Sequence, residues 1–167
     1  MNNNWVIEFL LAFLIALIYA SFVEYTMHRF MHTRLVYGEQ HAMHHRDGTG
    51  KGWVEEFLNY SIPSLSVIWF GFLYSAVAGI GFALGGLLAS AFGAYAHQLQ
   101  HERPELVFWL SRPVHHLHHT QKMAKHNFGI SVDFWDRLFG TYDPGVWEPE
   151  KKPFEYPLID LLRIHWR

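Results

Sequence analysis

From Trp5 to Met27 the chain reads WVIEFLLAFLIALIYASFVEYTM, and its only charged residues, Glu8 and Glu24, sit near the two ends. At about 1.5 Å per residue, a helix of this length crosses a hydrocarbon core about 30 Å thick. Such a run satisfies its backbone polar groups inside lipid by closing them on itself as a helix. The preceding MNNN carries no basic residue, unlike the n-region of a cleaved signal peptide, so an uncleaved membrane helix over about 5–27 is expected. A second apolar run extends from Ile62 to Ala96. One helix of that length would reach roughly 50 Å, too long for a single crossing. The glycine-rich AGIGFALGG, residues 78–86, predicts a helical hairpin instead. Its spans would lie over about 62–79 and 81–96, with the turn near Gly79–Gly81. Glycines there would also let two helices approach closely. One long tilted helix, a re-entrant pair or a fourth span is the alternative. The predicted fold is an all-α, single-domain integral membrane protein with about three spans.

Charge gives an independent check. Three crossings put residues 28–60 and 97–167 on one side of the membrane. All 13 Lys and Arg and all 13 His lie in those two segments. Cytoplasmic loops are the ones enriched in Lys and Arg. Both segments are therefore predicted to form a cytosolic, histidine-rich helical cap, with the N-terminus on the opposite side. A formal net charge of −2 offers no basic surface for nucleic acid. The absence of cysteine excludes disulfides, thiolate zinc sites and Cys-held iron–sulfur clusters. Within the cap, PELVFWLSRP (104–113) reads as a short interfacial helix between two prolines. NFGISVDFWDRLFGTYDPG (127–145) holds too many aromatic residues to be disordered and reads as a compact unit with short helices. Asp136 and Arg137 are expected to form a structural ion pair in it.

Four histidine clusters follow in order: HRFMH (His28, His32), HAMHH (His41, His44, His45), HQLQH (His97, His101) and HHLHH (His115, His118, His119). The spacings alternate as HxxxH, HxxHH, HxxxH, HxxHH. Residues four apart stack on one helix face, so each HxxxH box presents two imidazoles in one direction. In each HxxHH box the adjacent pair diverges, so one box can serve two neighbouring metals. The first and third boxes directly follow the first and third expected spans, which places both at the same membrane face. The boxes hold ten imidazoles, too many for one ion, and two ions with four or five nitrogen ligands each is the natural division. Imidazole suits Zn, Cu, Fe and Ni, so the residues alone do not select the metal. His116 is either a hydrogen-bonding neighbour of a ligand or a bystander. His126 stands outside the box spacing, and His165 reads as a surface residue.

From EYTMHRFMH through HAMHH, HQLQH and HHLHH to NFGISVDFWDRLFGTY, the chain resembles the fatty acid hydroxylase / sterol desaturase superfamily of membrane oxygenases. That resemblance implies a dinuclear metal centre, usually described as di-iron, with zinc able to replace iron in purified protein. The ligands carried over by motif are His28, His32, His41, His44, His45, His97, His101, His115, His118 and His119. It further implies O2-dependent hydroxylation or desaturation of a C–H bond in a membrane-embedded fatty-acyl, sterol-like or related lipid. In size and box order the chain also resembles bacterial carotenoid hydroxylases of the same superfamily, whereas WDRLFGTY fits the broader hydroxylase group. Glu24 and Glu102 are the carboxylates expected to orient ligand imidazoles. No flavin or nicotinamide fingerprint is visible, so electrons are expected from an external ferredoxin or cytochrome b5-type donor with its reductase. A zinc-dependent membrane hydrolase and a metal-binding or transport protein are the competing classes. A transporter would place its ligands near the bilayer midplane, where this sequence has none.

Overall fold

A computed structural model of the chain describes residues 4–33, 35–65 and 68–167, with no side-chain description over 63–65. Residues 66 and 67, in the first arm of the expected hairpin, lie outside the described residues, as do residues 1–3 and Arg34. All regular structure among the described residues is helical: α1 Asn4–His32, α2 Gly38–Asp47, α3 Trp53–Leu65, α4 Ile68–Tyr74, α5 Ala76–Glu102, α6 Val114–Thr120 and α7 Phe134–Phe139, with 3-10 turns at Pro104–Leu106, Pro153–Glu155 and Leu158–Leu162. α1 and α5 are long and apolar enough to cross a membrane. They are not core helices of a water-soluble protein, because Ile7, Leu10, Leu14, Ile18, Leu84 and Leu88 face outward. A solvent-facing surface of that kind is explained by lipid.

α5 is the axis of the bundle, and α1, α3 and α4 all pack on it. α1 and α5 run parallel: a Cβ at Gly81 would sit 2.6 Å from the Phe9 carbonyl oxygen, and one at Gly85 would sit 2.5 Å from that of Phe13. The two contacts share one register offset. Gly81 and Gly85 therefore form a small-residue seam that lets the backbones touch. The chain reverses at Ser75, between α4 and α5, rather than at the expected Gly79–Gly81, which lie within α5. Ser75 is the N-cap of α5: its hydroxyl accepts from the Ala78 N–H at 3.0 Å and donates to Glu8. That second bond sets the start of α1 beside the hairpin apex. The glycines are spent on helix contact, so the chain turns where a capping side chain is available.

At the other end, both long helices deliver their C-terminal turns to the same place. Around them the cap packs on Leu99, Leu106, Val107 and Ile164, flanked by Trp53, Tyr95 and Trp109. The segment 104–113 is not the predicted interfacial helix: only Pro104–Leu106 form a 3-10 turn. Leu106 and Val107 are buried in the core instead, and Trp109 donates to the Ser131 carbonyl at 3.0 Å. These tertiary contacts hold the backbone away from a helical path. α7 sits beside α1, with Trp135 donating to Ser21 at 3.0 Å and packing edge-on against Phe22.

Candidate metal centre

The ten box histidines converge where α1, α2, α5 and α6 meet. One ring nitrogen from each of His28, His32, His41, His45 and His118 lies within 4.8 Å of the others. A second group, His44, His101, His115 and His119, meets the same limit. The tenth, His97, joins the second group through its Nε2, 3.1 Å from Nε2 of His44.

The division follows from helix geometry. In α2, His41 and His45 are four apart and share one face, which turns to the first nest, while His44 points to the second. In α6, His115 and His119 form the four-apart pair of the second nest, while His118 reaches across to the first. Each nest thus takes one HxxxH pair, one four-apart pair from an HxxHH box, and the odd histidine of the other box. The nests interleave rather than lying side by side.

Backbone carbonyls fix the ring orientations. His28 donates through Nδ1 to the Phe128 carbonyl at 2.7 Å, His118 through Nδ1 to the His126 carbonyl at 2.7 Å, and His101 through Nδ1 to the Gly48 carbonyl at 3.2 Å. In the neutral ring this leaves a bare lone pair on Nε2, directed inward. Nε2 of His118 lies 2.8 Å from that of His32 and 3.1 Å from that of His45, and Nε2 of His101 lies 3.1 Å from that of His115. Among the described residues, Nε2 of His28 and both ring nitrogens of His119 are buried without a hydrogen-bond partner. Converging lone pairs repel unless an electron-poor centre lies between them. Two nitrogens bound at about 2.1 Å to one ion, at right angles, stand about 3.0 Å apart, which matches these separations. The donor set therefore fits a pair of metal ions.

Protonation agrees with this. Burial, then neighbouring imidazoles, pushes His41 down to about 2 and holds His45 near 4. Burial also takes His44 and His118 to about 3, and His115 and His119 are depressed by the same causes. Neutral imidazole is the form that binds metal.

The carboxylates differ from expectation. Glu24 does not hydrogen-bond an imidazole; its Oε1 accepts from the Ile130 and Ser131 N–H groups, both at 2.9 Å, and from the Ser131 hydroxyl at 3.1 Å. Glu102 accepts from Gln98 and from the His165 N–H, each at 2.8 Å. Glu56 of α3 is the carboxylate that meets a box histidine, with Oε1 3.2 Å from Nδ1 of His97. Burial alone would raise the Glu56 carboxyl, but the facing His97 outweighs it and holds it at about 2. Both predicted carboxylates lie close in sequence to a box histidine, whereas Glu56 reaches its partner only through the α3–α5 contact.

Asp136 is likewise not paired with Arg137, which binds Asp133 at 2.7 Å. Fully buried, Asp136 accepts from the Phe128 N–H at 2.9 Å, the Gly129 N–H at 2.6 Å and the Thr141 hydroxyl at 2.7 Å. It shapes the turn whose Phe128 carbonyl holds His28. Gly129 is required there, because a Cβ would meet the Val132 carbonyl oxygen at 2.1 Å. Gln100, fully buried, accepts from the His115 N–H at 2.9 Å and donates to the Ile130 carbonyl at 2.8 Å. Gln100 lies within HQLQH, between the two box histidines, so its proximity was visible in the sequence although its partners were not. His116 packs edge-on against Trp147, His126 contributes its carbonyl to His118, and His165 is exposed.

Two membrane-length helices ending in paired, interleaved imidazole nests define a helical protein of the histidine-box class. Residues 13–141 match the family model described as fatty acid hydroxylase, and the chain belongs to that family. It is 32% identical over 149 residues to the ceramide very long chain fatty acid hydroxylase of Schizosaccharomyces pombe, covering 79% of this chain and 42% of that protein. It is 28% identical over 159 residues to the fatty acid 2-hydroxylases of Mus musculus and Rattus norvegicus, covering 83% of this chain and 41% of each of them. The chain thus spans about two-fifths of the length of these curated relatives. No solved structure matches it.

Proposed function

We propose that this protein is an O2-dependent hydroxylase of a membrane lipid, acting on a C–H bond of a fatty-acyl chain. The observation that carries the reading is the pair of imidazole nests at the inner end of an apolar cavity bordered by α1, α3 and α5. His28, His32, His41, His45 and His118 would hold one ion, and His44, His97, His101, His115 and His119 the other. Iron is the metal proposed. Bound there, such a pair supplies the activation of O2 and the removal of hydrogen from an unactivated carbon. The chain's own residues do the rest. The Phe128, His126 and Gly48 carbonyls fix three imidazoles in the Nδ1–H tautomer, leaving Nε2 free to ligate. Glu56 orients His97 from the opposite side. The apolar walls of α1 and α5 exclude bulk water and let the substrate stay in the bilayer.

Hydroxylation with release of water takes in an electron pair for each O2. The donor proposed is an external ferredoxin or a cytochrome b5-type protein with its reductase. The distribution of Lys and Arg favours a cytoplasmic nest face, with the N-terminus on the other side. The names of the relatives, all hydroxylases, favour hydroxylation over desaturation. The test is anaerobic purification with elemental analysis, coupled to lipid profiling of cells with and without the gene. Two irons per chain and a hydroxylated lipid that disappears with the gene are expected. Zinc-loaded protein that turns over lipid equally without O2 would replace this reading with a membrane hydrolase.

A further inference from the structure

α1 and α3 both pack against α5, and the slot they border with it holds a cavity of about 1080 Å³. Its floor is one face of α5: Phe82, Gly86, Ser90 and His97 follow at helical spacing and all border the cavity. At the inner end stands His28, 2% exposed, whose Nε2 has no hydrogen-bond partner among the described residues. At the outer end the rings of Tyr19 and Phe82 lie 6.3 Å apart. Gly86 differs from the other glycines of α5. Gly81 and Gly85 press on the α1 backbone, whereas a Cβ on the equally buried Gly86 would meet nothing within 4 Å among the described residues. Gly86 also borders the cavity, so its missing side chain leaves the slot open at this depth.

We propose that the slot takes one extended acyl chain, with its reacting carbon beside the nests and its tail running along α5 toward Tyr19 and Phe82, and that Gly86 sets the length of tail admitted. This rests on the lipid-hydroxylase reading above and adds the direction and the gauge. Gly86 lies about 16 Å along α5 from His97 at 1.5 Å per residue, the reach of roughly a dozen methylene units. A large side chain at 86 would block the slot at that depth and leave the nests untouched.

The full metal-loaded chain in lipid nanodiscs is irradiated with fatty acids of 10 and 18 carbons bearing a terminal diazirine, and the labelled residues are mapped. Wild-type protein is expected to be labelled by the 18-carbon probe near Tyr19 and Phe82. Gly86→Phe is expected to lose that labelling at least tenfold while keeping the label of the 10-carbon probe and its metal content. Gly86→Leu gives a graded intermediate if the phenylalanine variant does not fold. Labelling confined to the outward faces of α1 and α4, or equal labelling of both probes in a metal-loaded Gly86→Phe, overturns the proposal. Product chain lengths are read in parallel. Length-selective labelling without any hydroxylated product leaves the slot standing and removes the activity. Hydroxylated product with labels outside the slot does the reverse.

Discussion

Asp136→Ala would remove the hub of the turn that holds His28. Its carboxylate satisfies two backbone N–H groups and the Thr141 hydroxyl, and it is fully buried. Each buried donor left unmade costs about 1–3 kcal/mol, so the variant should lose about 3–6 kcal/mol, allowing for partial relaxation. Asp136→Asn keeps the shape but turns an NH2 toward donors, and should cost about 1–3 kcal/mol. Arg137→Ala breaks the half-exposed pair with Asp133, a hydrogen bond to Ser111 and a cation–π contact with Tyr142, all near the surface, and should cost about 1 kcal/mol. The assay is unfolding of detergent-solubilised protein followed by circular dichroism, with metal content measured on the same samples. The order Asp136→Ala, Asp136→Asn, Arg137→Ala is expected for stability, and the first should also bind metal less tightly, because the Phe128 carbonyl no longer fixes His28. An Arg137→Ala variant as damaged as Asp136→Ala would refute the reasoning and restore an Asp136–Arg137 ion pair.

Removing the carboxylate beside His97 in Glu56→Ala should weaken metal binding about 10–100-fold, read by competition with a chelator, whereas Glu39→Ala, on the exposed start of α2, should not. The metal-free protein should lose stability as pH falls. His41, His44, His45 and His118 are held at about 2, 3, 4 and 3 when folded but titrate near 6.5 when unfolded. The unfolded chain therefore takes up more protons below about 6.5, and stability present above that pH drains away as pH drops toward the folded values; melting temperatures at pH 7.5 and 5 would show it, and equal values would contradict it. Gly85→Leu should destabilise by more than about 1–3 kcal/mol through overpacking against Phe13, while Gly86→Ala should melt like wild type.

Much of the site was legible because it obeys local periodicity. Residues four apart on a helix share a face whatever surrounds them, so the pairing of His28 with His32 and of His97 with His101, and the divergence within HxxHH, could be read directly. Membrane length was legible in Trp5–Met27 for the same reason. The reversal at Ser75 was hidden because glycines at 78–86 signal both turns and close packing, and only the register against α1 decides between them. Asp136, Gln100 and Glu56 were illegible as supports of the site because their partners are distant or are backbone atoms, which carry no mark in the sequence. Glu24 was found, but in another role: it ties α1 to a turn more than 100 residues away.

The four boxes share one further trait. His32, His44 and His45, His101, and His118 and His119 all stand in the last turns of their helices. Each such end carries about half a negative charge from aligned peptide dipoles, strongest for the two long helices. Four peptide-borne fields thus aim at a pocket whose donors are uncharged rings, and they draw cations there without any carboxylate in the donor set. The backbone supplies the electrostatic attraction and the side chains supply the coordination.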